Sequence, residues 1–229
     1  MIFKEKHRIK DRPLVSEIIT GNVDQAHVQN KSIIGLGTIL MNNEKVDTFQ
    51  NLVTLQGREF LASRITGVSA GTKDWSNYKL AYFRVGDGGA DPLNPNTRYG
   101  PYDNDVDLFN KIKFTETEIN SDTNDYKYMG EGYDKKIDDI VIELETHHIH
   151  TSTNDIYVQN YTSIKNTLVI EDYEPINDPF GFNEAALVAY EFDSDNKPID
   201  NTGMVIARFT TSTKDMNDDK LTIEWFVLV

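Results

Sequence analysis

Phe182-Asn183-Glu184-Ala185-Ala186-Leu187-Val188-Ala189-Tyr190-Glu191-Phe192 opens the stretch that decides the fold. Ala186, Val188, Tyr190 and Phe192 recur at every second position, the spacing of a strand with one buried face. Two further runs repeat the pattern: Val205, Ala207 and Phe209, then Leu221, Ile223, Trp225, Val227 and Val229. Polar turns rich in Asp, Asn, Ser and Lys separate them at 193–201 and 211–219. Residues 182–229 therefore read as one unit of three strands, the last of them inside a sheet or at a subunit contact.

Upstream, Tyr78 to Val85 carries Leu80 and Tyr82 on one side and Ala81, Phe83 and Val85 on the other. Apolar residues on both sides predict a central strand covered twice. Before it, Thr54 is a candidate N-cap and Gly67 a left-handed terminator, with Leu55, Leu61, Ala62 and Ile65 as the apolar stripe. These signals predict a helix over about residues 54–66, too short to persist without packing on a sheet. A strand through Ile33 and Met41 contains Gly35 and Gly37, which point to a bulge or a close backbone approach. Asn42-Asn43-Glu44-Lys45 follows it as a turn. Further strands are expected over 109–118, 139–150, 156–161 and 167–173. The whole reads as a mainly β chain, an antiparallel β-sandwich with one short helix. Residues 1–30 form an N-terminal arm, and 31–229 a single domain with long loops at 86–107 and 119–138.

The charge is uneven. The chain has 37 acidic and 23 basic residues, a net of -14. Lys4, Lys6, Arg8, Lys10 and Arg12 face only Glu5 and Asp11 in the first twelve residues, so the arm carries +3 and the remainder -17. An acidic body disfavours nucleic-acid binding, which rests on clustered Lys and Arg. A basic arm on an acidic body suits docking onto a neighbouring copy. No apolar run approaches the roughly 20 residues of a membrane span, and the first residues lack the apolar stretch of a secretory signal. The absence of Cys removes disulfides, thiolate metal sites and cysteine nucleophiles together.

Several stretches invite a chemical reading. Gly86-Asp87-Gly88-Gly89 follows a strand as a phosphate loop does, but Ala90-Asp91-Pro92 blocks the helix and supplies no Lys-Ser/Thr pair, so it reads as a sharp turn. His148 and His150 share a strand face and are the best metal candidates, although two ligands do not close a tetrahedral site. Asp103-Asn104-Asp105-Val106-Asp107 and Asp193-Ser194-Asp195-Asn196 lack the glycine and glutamate of a calcium loop, and turn chemistry accounts for both. Trp75, Tyr99 and Tyr102 are loop aromatics suited to a partner interface or, as a second reading, to sugar stacking. The scattered serines sit in no nucleophile elbow. No enzyme and no cofactor are expected.

Several separated segments nevertheless form a recognisable series. They are Asn51-Leu52-Val53-Thr54, Gly57-Arg58 and Leu61-Ala62, then Phe83-Arg84-Val85-Gly86-Asp87-Gly88. Asn183-Glu184-Ala185-Ala186-Leu187, Ile206-Ala207-Arg208-Phe209 with Lys214, and Leu221-Thr222-Ile223-Glu224-Trp225 complete it. The series resembles a group of virion structural proteins of tailed bacteriophages, found among tail, baseplate and fibre-associated components. It touches residues 51–89 and 182–229, and departs from the group at Ala186, where glycine is usual. The resemblance implies a multi-copy, non-enzymatic subunit, made in a host bacterial cytoplasm and incorporated in the virion. Its partners would be other virion proteins, with neither nucleic acid nor membrane. The basic arm and the 91–107 loop would be its contacts, and Arg208 and Lys214 assembly or sheet-edge residues. A glycan-binding sandwich on a receptor-binding appendage is the alternative.

Overall fold

A computed structural model describes residues 3–5, 35–69, 71, 73–114, 126–150, 156–171, 174, 181–215 and 219–228. In chain order the strands are β1 (Phe3–Glu5), β2 (Gly35–Met41), β3 (Glu44–Gln50) and β4 (Leu52–Val53), then helix α1 (Leu55–Thr66). Next come β5 (Tyr78–Gly86), β6 (Ala90–Asp91), β7 (Asn94–Arg98), β8 (Tyr128–Met129), β9 (Asp134–Lys136), β10 (Asp139–His150) and β11 (Ile156–Ile170). The last are β12 (Gly181–Glu191), β13 (Met204–Asp215) and β14 (Leu221–Leu228). Sheet A has the order β1-β10-β11-β14-β2-β3 and sheet B the order β4-β13-β12-β5-β9-β8, with β6-β7 a small third sheet. Every pairing is antiparallel.

The two large sheets face each other as a β-sandwich. Ile39, Phe49, Leu168, Ile223 and Trp225 of sheet A meet Phe83, Val85, Phe182, Leu187 and Phe209 of sheet B in one core. At its centre the Phe49 and Phe209 rings stack at 3.5 Å, and the Trp225 ring stands edge-on to both at 5.2 and 5.1 Å. The decisive C-terminal stretch is therefore divided. Strands β12 and β13 pair with each other in sheet B, while β14 sits between β11 and β2 in sheet A, so Trp225 reaches Phe209 across the core. The expected half-buried β12 is instead buried from Phe182 to Tyr190 on both faces, because the outer face of sheet B is also covered.

Helix α1 supplies part of that cover. Thr54 Oγ1 accepts from the Gly57 amide at 2.9 Å and donates to the Val205 carbonyl at 2.7 Å, so the cap also fastens the helix to β13. Gly67 ends the helix at φ 68, as expected. The expected stripe does not hold, since Leu55 and Ile65 are exposed. The packed face is Gly57, Phe60 and Ser63. Gly57 decides this: a Cβ there would lie 1.9 Å from the Ile206 carbonyl oxygen, so only glycine permits so close an approach.

Other boundaries differ in instructive ways. The strands expected at 156–161 and 167–173 are one long strand, β11. Residues 109–114 form no strand but a single bridge, Gly86 to Lys111, and 115–118 lie outside the described residues. The 86–107 loop contains the β6-β7 hairpin, and the described part of 119–138 contains β8 and β9. Asn42 and Asn43 both take positive φ, the conformation of a tight two-residue hairpin, and Phe49 lies over Gly37 where a Cβ would collide with its ring.

Candidate functional site

On the outer face of sheet B, register places Asp134, Arg84, Ala186 and Arg208 in one row across β9, β5, β12 and β13. Each arginine stands between two core-facing residues, Phe83 and Val85 or Ala207 and Phe209, so strand alternation turns it outward. The Cα atoms of the two arginines are two strand spacings apart, roughly 10 Å, with the methyl of Ala186 on the strand between them against Leu108 and Val205. Neither reaches solvent freely, because residues 99–114 fold over the row.

Arg84 forks onto Asp134, Nε to Oδ1 at 2.6 Å and a terminal nitrogen to Oδ2 at 2.7 Å, and donates to Asp107 Oδ1 at 2.5 Å. The Tyr190 hydroxyl donates to Asp134 Oδ2 at 2.6 Å. Arg208 donates to Asp105 Oδ2 at 2.7 Å, to the Asp107 carbonyl at 2.8 Å and to Glu184 Oε2 at 2.8 Å. Its guanidinium carbon lies 4.4 Å from the centre of the Phe109 ring. Glu184 also accepts three backbone amides: Gly88 at 3.1 Å, Phe109 at 3.1 Å and Asn110 at 2.8 Å. Gly89 donates to Asn183 Oδ1 at 2.6 Å. Of the glycine turn, the Gly88 amide is taken up by Glu184 and the Gly89 amide by Asn183, so both donors are used within the chain.

The electrostatics follow from burial and pairing. Burial works against the Arg84 charge, but Asp134 and Asp107 more than offset it and hold the guanidinium charged. Burial likewise raises Asp107, and Arg84 together with the Leu108 amide brings its carboxyl below the ordinary range. Burial and the neighbouring Asp134 push the Tyr190 phenol well above its usual value, so it remains a donor. For Glu184 burial wins, leaving it raised despite the three amides and Arg208. Asp134 and Glu184 have no exposed surface. What this arrangement does is fasten a long loop to a sheet.

The expected site residues are scattered by comparison. Trp75 is 1% exposed and stands edge-on to Phe60 at 5.8 Å and Tyr78 at 5.1 Å. It is a core residue holding α1 to sheet B, which corrects both its interface and its sugar-stacking readings. Tyr99 and Tyr102 are exposed on the fastened loop. Lys4 lies on β1, whereas Lys6, Arg8, Lys10 and Arg12 lie outside the described residues. His148 and His150 occupy alternate positions of β10 opposite Glu5 and Phe3, with side chains outside the description. Among the described residues no group of three His, Cys, Asp or Glu side chains is placed to hold a metal ion. Asp105 and Asp107 are held by arginines, and Asp193 Oδ1 accepts the Asp195 and Lys197 amides as a turn cap.

Arg208 corrects a further expectation. It is 1% exposed within sheet B, neither at an edge nor on a surface. Lys214 bonds to Asp47 of β3 at 3.0 Å, an internal tie between the sheets. Only the arginines of the Arg84–Asp134 and Arg208–Glu184 pairs carry a sequence signal, each set between two apolar residues of a strand, whereas Asp134 and Glu184 carry none. No protein-family model, curated protein or solved structure matches this chain.

Proposed function

We propose that this chain is a non-enzymatic structural subunit of a tailed-bacteriophage virion, in the tail, baseplate or neck, assembled in several copies through protein–protein contacts. One observation carries the reading. The segments that resemble phage structural proteins are distant in sequence, yet three of them are the adjacent strands β5, β12 and β13. Their motif residues Arg84, Glu184 and Arg208 join in fastening the loop that presents Tyr99 and Tyr102 outward. A scaffold whose buried charges hold an exposed loop suits a protein that works by contact. The alternative glycan reading retains two of its three aromatic residues, since Trp75 is buried. On the proposed reading the partners are other virion proteins, and neither nucleic acid nor membrane is engaged. Quantitative mass spectrometry of purified particles tests it. The chain is expected at fixed stoichiometry above one copy per particle; its absence from particles overturns the reading.

A further inference from the structure

His147-His148-Ile149-His150 closes strand β10, and the strand register brings it a third partner. Strand β10 pairs with β11 without a shift from Asp139 opposite Thr167 to His150 opposite Ile156, so its residues alternate strictly between two faces. His148 and His150 therefore hold positions on one face, and His147 on the other. On the outer edge of β10, β1 sets Glu5 opposite His148 and Phe3 opposite His150. Residues directly opposed across a ladder belong to one face, so Glu5 shares the face of the two histidines. Sequence spacing alone offered two ligand residues; the β1 register supplies a carboxylate from the far end of the chain.

The spacing suits one ion. Directly opposed positions lie roughly 4.5–5.5 Å apart and diagonal ones roughly 7–8 Å, while alternate residues along a strand are separated by about 7 Å. Two imidazoles and one carboxylate form a ligand set that binds zinc at about 2 Å, with water completing the shell. Imidazole nitrogen favours zinc, iron, nickel or copper over magnesium and calcium, which take oxygen. The same face of β10 is open to solvent at Ile140 and Ile142, which are 49% and 70% exposed.

We propose that Glu5, His148 and His150 form a structural site for one divalent transition-metal ion, with zinc as the best fit, that ties β1 to β10. The place in the fold gives such an ion a task. Strand β14 pairs with β11 only from Ser163 to Ile170, so the part of the β10–β11 hairpin that carries His148 and His150 extends past it. Among the described strands only β1 adds a third there, and it has three residues. A two-stranded hairpin is marginal in water, and a third strand makes the difference. An ion shared by β1 and β10 is a cross-link of the kind through which structural metals contribute to folding. The site lies within one chain and does not depend on the virion reading.

Calorimetric titration of the untagged, chelator-stripped chain with Zn²⁺, and separately with Mg²⁺, tests this. One Zn²⁺ per chain is expected and no Mg²⁺. His148→Ala and His150→Ala should each weaken Zn²⁺ binding by about tenfold or more, and so should Glu5→Gln, which keeps the size of the side chain. His147→Ala should bind as the unaltered chain does, because its position is on the opposite face. Zn²⁺ should also slow amide hydrogen exchange in β1 of the unaltered chain and not of the His148→Ala variant. Absence of Zn²⁺ uptake would overturn the proposal. So would an equal loss from His147→Ala and His148→Ala, or undiminished binding by Glu5→Gln, since the ion would then be held by the histidine run without β1.

Discussion

Phe83, Val85, Ala185, Leu187 and Phe209 point from sheet B into the sandwich, while their neighbours Arg84, Glu184 and Arg208 point the opposite way. The same three strands, β5, β12 and β13, build both faces. The inner face is held by apolar contact, which is non-directional and tolerates exchange among residues of similar volume. The outer face is held by charged groups in fixed geometry, where each partner compensates the dehydration of the other. The difference should appear in mutational sensitivity. Removing one outer partner leaves a buried charge exposed to no compensation, whereas reshaping one inner side chain leaves a small void.

The largest effect is expected at Arg84→Met. It strands Asp134, which is 0% exposed, and removes a tie to Asp107. A loss of about 3–5 kcal/mol in chemical denaturation is expected. The double variant Arg84→Met/Asp134→Leu should recover most of it, because both charges then leave the interior together. If the double variant is as unstable as the sum of its single changes, the pair is not the unit described here.

Next comes Glu184→Gln. The amide oxygen still accepts backbone N–H groups, but the charge opposite Arg208 is gone, and a loss of about 2–3 kcal/mol is expected. Its effect should be local as well as global. The amides of Gly88, Phe109 and Asn110 should exchange with deuterium faster, as expected where a loop loses its ties. On the inner face, Phe209→Leu should cost about 2 kcal/mol with those three amides unchanged. Equal exchange in the two variants would erase the contrast between the faces.

That contrast also explains what the sequence made legible. Period-two apolar spacing reports the inner face, so the sandwich, the central position of β5 and the closing strand Leu221–Leu228 were readable from Phe83, Val85, Phe209, Ile223 and Trp225. The caps of α1 were readable because Thr54 and Gly67 act through local backbone chemistry. Its packed face was not, because Gly57 matters only through the Ile206 carbonyl, which lies far away in sequence. The ionic row was hidden for the same reason. Arg84 and Asp134 are opposite one another only after β9 has paired with β5, and an isolated Arg in a strand reads as a surface residue. Glu184 was hidden further, since three of its four partners are backbone amides, which carry no residue signature. Trp75 misled in the other direction, being a loop residue in sequence that the helix and sheet then enclose.

The smallest expected effect belongs to Glu174, which lies away from the row and sharpens the comparison through pH. Burial raises its carboxyl, but Lys127 and Lys135, with the Glu171 amide and Tyr128, bring it down from 4.5 to about 2. Lys135 bonds to it at 2.5 Å with both side chains almost fully buried, while Lys127 at 2.8 Å is half-exposed. A folded-state value below the unfolded one means that the unfolded chain takes up the proton first. The stabilisation is therefore complete above about pH 4.5 and is lost as pH falls towards about 2. With the Lys127 part discounted for solvent screening, it amounts to about 1–2 kcal/mol at neutral pH. Glu174→Gln should lower stability by that amount at pH 7 and make no difference near pH 2, so that the two denaturation profiles converge on acidification. Parallel profiles from pH 7 to pH 2 would mean that Glu174 is held by packing rather than by its charge.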